Sequence, residues 1–134
     1  MTTTVHIIDD DESVRRALQV LLESAGFNVK PYDSGEAFFA DQTAASSDCI
    51  ITDILMPGLS GLDLMERLKM QGCNIPMIVV SAYDDDRTRQ RACKLGARAF
   101  FLKPVDDIGL IEAIRRVVAT TSNAANATDR FGKQ

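Results

Sequence analysis

Short runs of β-branched and other apolar residues recur along the chain at 5–8, 49–51 and 77–80, with weaker runs over 27–32 and from Ala99. Each run is far enough from the next to leave room for a helix. Between the first two, the apolar positions Val14, Ala17, Leu18, Leu21, Leu22 and Ala25 repeat at helical spacing, and Gly26 follows as a stop. A second helix is predicted from Asp33 as N-cap with Glu36 three residues on, and a third after Ser60 or Gly61. A fourth is predicted over 87–95, closed by Gly96, and a fifth over 107–119. Alternating strands and helices imply an α/β fold, a five-stranded doubly wound parallel sheet with five helices, because right-handed crossovers cover both faces. The first, third and fourth runs are almost wholly apolar, as buried strands are, whereas 27–32 alternates and holds Pro31, which cannot donate to a ladder. The second strand therefore belongs at an edge, and the order 2-1-3-4-5 satisfies this. Beyond Ala119 the pattern lapses, so the expected organisation is one domain over 4–119 and a flexible polar C-terminal tail over 120–134, or the stub of a linker.

Composition narrows the class. The 134 residues are 46% hydrophobic and 25% charged, which suits a single folded domain. The net charge of −4 and pI of 4.9 make a phosphate-gripping nucleic-acid surface a poor expectation. No apolar stretch approaches the ~20 residues that span a bilayer, and the amino terminus carries no basic-then-apolar leader. Three cysteines, Cys49, Cys73 and Cys93, with one histidine support neither a disulfide framework nor a zinc site, so the expected compartment is the cytoplasm. The cysteines read as small buried hydrophobes or inert surface thiols, and His6 as a sheet histidine.

Chemistry enters where the strands end. In open parallel sheets, ligands bind at the carboxyl ends of the strands near the switch in strand order, here between strands 1 and 3. Asp9 and Asp10 follow strand 1, Asp53 strand 3, Ser81 strand 4 and Lys103 strand 5. Three carboxylates in one crevice need raised pKa values or a cation, and Lys103 offsets one charge at most. All-oxygen hard ligands point to Mg²⁺ or Mn²⁺ and not to zinc or copper. Such a site suits phosphoryl transfer to a carboxylate. Plainer roles exist for each residue alone: Asp10, Asp11 and Glu12 as first-turn acids, Ser81 as an N-cap, Lys103 as a snorkelling surface lysine. Asp53 is harder to assign so, because the loop Ile54-Leu55-Met56-Pro57-Gly58 separates it from any helix start.

Four segments, HIIDDDESVR, ITDILMPGLSG, VVSAYDD and GARAFFLKPV, together resemble the receiver domain of two-component response regulators, the chemotaxis-regulator type included. The likeness covers about 4–119 and implies the flavodoxin-like fold. It further implies Asp53 as phosphoacceptor, with Asp10, Asp53 and the backbone carbonyl of Leu55 as ligands of Mg²⁺ and Asp9 acting through a metal-bound water. Ser81 and Lys103 would each contact a phosphoryl oxygen, and Lys103-Pro104 would be a cis peptide. Phe100 stands at the aromatic switch position, where tyrosine is frequent, and Ser81 where threonine is more frequent. Leu55 and Tyr83 would border the route of the hydrolytic water.

The resemblance implies a phosphoryl donor that is a histidine kinase or a histidine phosphotransfer protein. It implies output through a changed surface of helix 4, strand 5 and helix 5, read by a downstream protein or by a second copy as a homodimer. No output domain is recognised within these residues, and neither nucleic acid nor membrane is an expected direct partner. Helix 4 carries Arg87, Arg89, Arg91 and Lys94, with Arg98 beyond, which reads equally as a solvated face or as a docking surface for an acidic partner. Competing readings are a haloacid-dehalogenase-like phosphatase using Asp9 and Asp11 as a D-x-D pair, a binding module that ignores phosphorylation, and a flavodoxin. The last is disfavoured because consecutive acids after strand 1 repel a phosphate.

Overall fold

The computed structural model describes residues 2–43, 46–83 and 85–131. The elements are β1 (Thr4–Ile8), α1 (Glu12–Ser24), β2 (Asn28–Tyr32), α2 (Gly35–Ala40), β3 (Cys49–Thr52), α3 (Gly61–Met70), β4 (Met77–Ser81), α4 (Asp86–Lys94), β5 (Ala97–Leu102) and α5 (Asp107–Phe131). The five strands form one sheet in the order β2-β1-β3-β4-β5, and every neighbouring pair is parallel. The expected fold and order are those observed. Pro31 sits opposite Ile7 on the edge strand, where its missing N–H costs no ladder bond on the open side.

The sheet separates two apolar layers. Val5, Ile7, Cys49, Ile51, Ile78 and Val80 point to the α1 and α5 side, against Leu18, Leu22, Leu110 and Ile114. Ile8, Ile50, Met77 and Val79 point the other way, against Phe38, Leu64, Met65 and Ala92 of α2, α3 and α4. This alternation is the period of two of a strand, and burial on both sides is why the central runs are apolar throughout. His6 shares the second layer, fully buried beside the rings of Tyr32 and Phe38 at 5.4 and 5.8 Å. Neither of its ring nitrogens has a hydrogen-bond partner. Burial, reinforced by Lys30 against the opposing Asp41 and Asp48, lowers its pKa from the ordinary value.

Several boundaries differ from expectation. The N-cap of α2 is Ser34, whose hydroxyl accepts from the Ala37 N–H, and not Asp33. Helix α4 starts at Asp86 behind an Asp85 cap, and β5 starts at Ala97. Ala17 is exposed beside Val20, so the buried stripe of α1 is narrower than its apolar pattern. The largest correction is α5, which does not stop at Ala119 but continues as helix to Phe131. No Gly or Pro interrupts the chain from Leu110 to Phe131, so a helix nucleated in its packed first turns can propagate along it. The free cysteines differ in setting: Cys49 is buried, which pushes its thiol up to about 12, Cys73 is half-buried and Cys93 exposed. Among the described residues no helix is long and apolar enough to cross a membrane.

Candidate functional site

The sheet itself sets the site. The Asp9 N–H donates to the Tyr32 carbonyl at 3.1 Å, the Asp53 N–H to the Ile8 carbonyl at 3.0 Å and the Lys103 N–H to the Ser81 carbonyl at 2.9 Å. The parallel ladder thus runs one residue past β1, β3 and β5 and delivers three ionisable side chains at one level. Lys103 Nζ lies 3.0 Å from Asp9 Oδ2 and 2.9 Å from Asp53 Oδ2. The carboxylates of Asp9, Asp10 and Asp53 each bring an oxygen within 4.8 Å of the others. Asp9 and Asp53 are buried and Asp10 is exposed, so the cluster opens to solvent on the Asp10 side.

The two buried acids are oriented by backbone. Asp9 Oδ1 accepts the Asp11 N–H at 2.9 Å, and Asp53 Oδ1 accepts the Ile54 N–H at 2.6 Å. Burial raises the Asp9 pKa, against the opposing Asp11 N–H and Lys103. Burial alone would lower that of Lys103, but its bonds to Asp53 and Asp9 outweigh this and hold it above the ordinary lysine value. Three formal negative charges face one positive charge here, which leaves room for a divalent cation. The donor set is wholly oxygen and one acid reaches solvent, so the residues fit Mg²⁺, which keeps several waters when bound.

Ser81 ends β4 fully buried, and its hydroxyl accepts the Tyr83 N–H at 3.1 Å, so it is not the cap of α4. Phe100, paired with Val79 in β5, is half-buried against the second apolar layer. The Lys103-Pro104 peptide is cis, as the resemblance implies. Leu55 and Tyr83 are both exposed, on the loops that follow β3 and β4. Asp11 caps α1 by accepting from the Ser13 and Val14 N–H groups, which takes the second acid away from a D-x-D pair.

Two residues escaped the sequence reading. Arg15 Nη1 donates to the Asp9 carbonyl at 2.7 Å, tying the loop after β1 to α1. Its signal is a cation in the first turns of a helix, where the dipole disfavours it. Gly61 begins α3 so close to β3 that a Cβ there would lie 2.0 Å from the Asp53 carbonyl oxygen. Glycine at the first helical position, straight after the Ser60 cap, is the clue in that case.

Residues 5–115 match the response regulator receiver domain family. The chain is 38% identical over 125 residues to the transcriptional regulatory protein FixJ of Azorhizobium caulinodans, covering 93% of this chain and 59% of that one. Among solved structures, the response regulator StyR superposes with a TM-score of 0.88 at 33% identity, over 99% of this chain and 67% of that one. FixJ-N superposes with a TM-score of 0.79 at 40% identity, over 89% and 95%. The chain spans 59% to 64% of the length of the FixJ proteins it matches.

Proposed function

The chain belongs to the response regulator receiver family, and from this we propose that it takes a phosphoryl group from a phosphohistidine onto Asp53 and signals through the face formed by α4, β5 and α5. The observation that carries the reading is the three-carboxylate cluster with Lys103 bonded to two of its members at 3.0 and 2.9 Å. Asp53 is the nucleophile: one carboxylate oxygen bonds to phosphorus as the P–N bond breaks, and the electron pair leaves on the donor imidazole, which takes up a proton. Asp10, Asp53 and the Leu55 carbonyl would hold Mg²⁺, with Asp9 reaching it through water, and the ion would supply charge stabilisation to the transferring group. The Ile54 N–H fixes the plane of the acceptor carboxylate. Lys103 supplies a further positive charge for a phosphoryl oxygen, from a position already fixed by two bonds.

The product adds ~1.5–2 negative charges and strong acceptor oxygens at Asp53. The Ser81 hydroxyl, which accepts the Tyr83 N–H at rest, turns to donate its own O–H to a phosphoryl oxygen, and Phe100 moves into the space it leaves. The domain is then two-state, with the phosphoryl group binding one state better. Leu55 and Tyr83, exposed on the two loops after β3 and β4, set how readily water reaches the acyl phosphate. The donor is a histidine kinase or phosphotransfer protein, and the reader of the switched face is a partner protein or a second copy, in the cytoplasm. The test is intact mass after incubation with Mg²⁺ and acetyl phosphate. One phosphoryl group is expected, dependent on the metal and lost in Asp53→Asn. Catalytic consumption of acetyl phosphate without an adduct would instead mark a phosphatase.

A further inference from the structure

An aromatic ring without a hydroxyl gains free energy by leaving water. Phe100 at the switch position is therefore biased inward even before Asp53 is modified, yet it is only partly buried here, packed at the margin of the second apolar layer. The structure shows what meets the ring on its outer side. The Arg89 guanidinium carbon, on exposed α4, lies 4.7 Å from the Phe100 ring centroid, within cation–π range. Among the described residues two other rings carry such a cation, Phe39 under Arg67 at 5.0 Å and Phe27 under Arg115 at 5.8 Å. Those contacts are longer, and neither ring stands at the switch position.

We propose that Arg89 is a positioning residue for the switch, a latch that holds Phe100 in the outward state by stacking its guanidinium on the ring. This rests on the receiver reading above. The contact exists only while the ring is outward, so it stabilises one state and not the other, which is the condition for shifting a population. At an exposed site a cation–π contact corresponds to about a 2- to 5-fold change in the ratio of the two states. Arg89 thus offsets part of the apolar drive inward, and phosphorylation has a resting state to displace. By linkage, a ligand that favours the inward state binds more tightly once the latch is gone, by up to the same factor.

The test uses the full chain with 4-fluorophenylalanine at its six phenylalanines, the Phe100 resonance being assigned by its loss in Phe100→Leu. Its ¹⁹F position is read at rest and with Mg²⁺ plus beryllofluoride, a phosphoryl mimic, and the beryllofluoride affinity is titrated. Arg89→Ala is expected to move the resting resonance toward the saturated position and to tighten the affinity by about 2- to 5-fold. Arg89→Lys, which keeps the charge but not the planar stack, should fall between. In a Phe100→Leu background, Arg89→Ala should leave the affinity unchanged. An unaltered resting resonance and affinity in Arg89→Ala, or an equal effect in the Phe100→Leu background, overturns the latch. Failure of the parent protein to gain a phosphoryl group on Asp53, or a Phe100 resonance that beryllofluoride does not move, overturns the underlying switch and the latch with it.

Discussion

Replacing Gly61 by alanine would place a methyl group where the backbone of Asp53, the proposed phosphoacceptor, already lies. The added Cβ would fall 2.0 Å from the Asp53 carbonyl oxygen, 2.9 Å from its carbonyl carbon and 3.0 Å from the Ile54 Cα. A relaxed carbon–oxygen contact is ~3.3–3.6 Å, so β3 and α3 must part by more than about 1 Å. All three obstructing atoms are backbone, and none can rotate aside. The φ of Gly61 is not positive, so without the clash Gly→Ala would stabilise by ~0.4–1 kcal/mol. Overpacking costs ~1–3 kcal/mol, and rigid partners place this case at the upper end. The expected net result is a loss of about 2 kcal/mol in urea denaturation followed by far-UV circular dichroism. On the proposed function, displacing Asp53 by about 1 Å should also slow phosphorylation by acetyl phosphate ~10²-fold, read as the initial rate of mass gain. Gly35→Ala is the control: its nearest obstruction is the Leu59 Cδ2 at 2.7 Å, the end of a side chain that can turn, so it should lose less than ~1 kcal/mol and phosphorylate normally. A Gly61→Ala protein as stable as the parent, with an unchanged rate, would refute the close-approach argument.

Other residues give separate tests. Lys103→Ala removes both ion pairs at the cluster and should slow phosphoryl transfer by ~10²-fold or more. The same variant should lose stability without Mg²⁺ and regain part of it when the ion is added, so a melting temperature insensitive to Mg²⁺ would count against the carboxylates as its ligands. Asp10→Asn, on the exposed side of the cluster, should weaken Mg²⁺ binding in calorimetric titration while leaving the denaturation midpoint close to the parent's; equal affinity would take Asp10 out of the ligand set. His6 is held neutral in the fold because its pKa is lowered from 6.5, whereas the unfolded chain protonates at that value. The unfolded state therefore binds more protons as pH falls below about 6.5, and stability should decline there. His6→Leu should abolish that part of the slope between pH 7.5 and 5.5, and an identical slope in the variant would show that other groups govern it.

The period of the apolar pattern gave five strands, five helices and the sheet order, because burial on one or both faces leaves a direct imprint on residue type. Pro31 marked the edge strand for an equally local reason, its missing donor. The residues at the site were visible as polar groups at the ends of apolar strands, and the receiver likeness supplied the roles proposed for them. Element ends were less legible: Ser34 and Asp33 are both good caps, and only the chain's path chose the first. The length of α5 was hidden because the apolar pattern lapses after Ala119, while helix propagation needs only the absence of a breaker. What needed the folded chain were contacts between residues distant in sequence. Lys103 bridges Asp9 and Asp53 because three strands extend their ladder by one residue at the same level. Gly61 is required by a backbone 2.0 Å away, and Arg89 meets Phe100 because α4 packs on β5. Residue type records whether a side chain is buried, but which groups lie within bonding distance is fixed by the register and packing of whole elements.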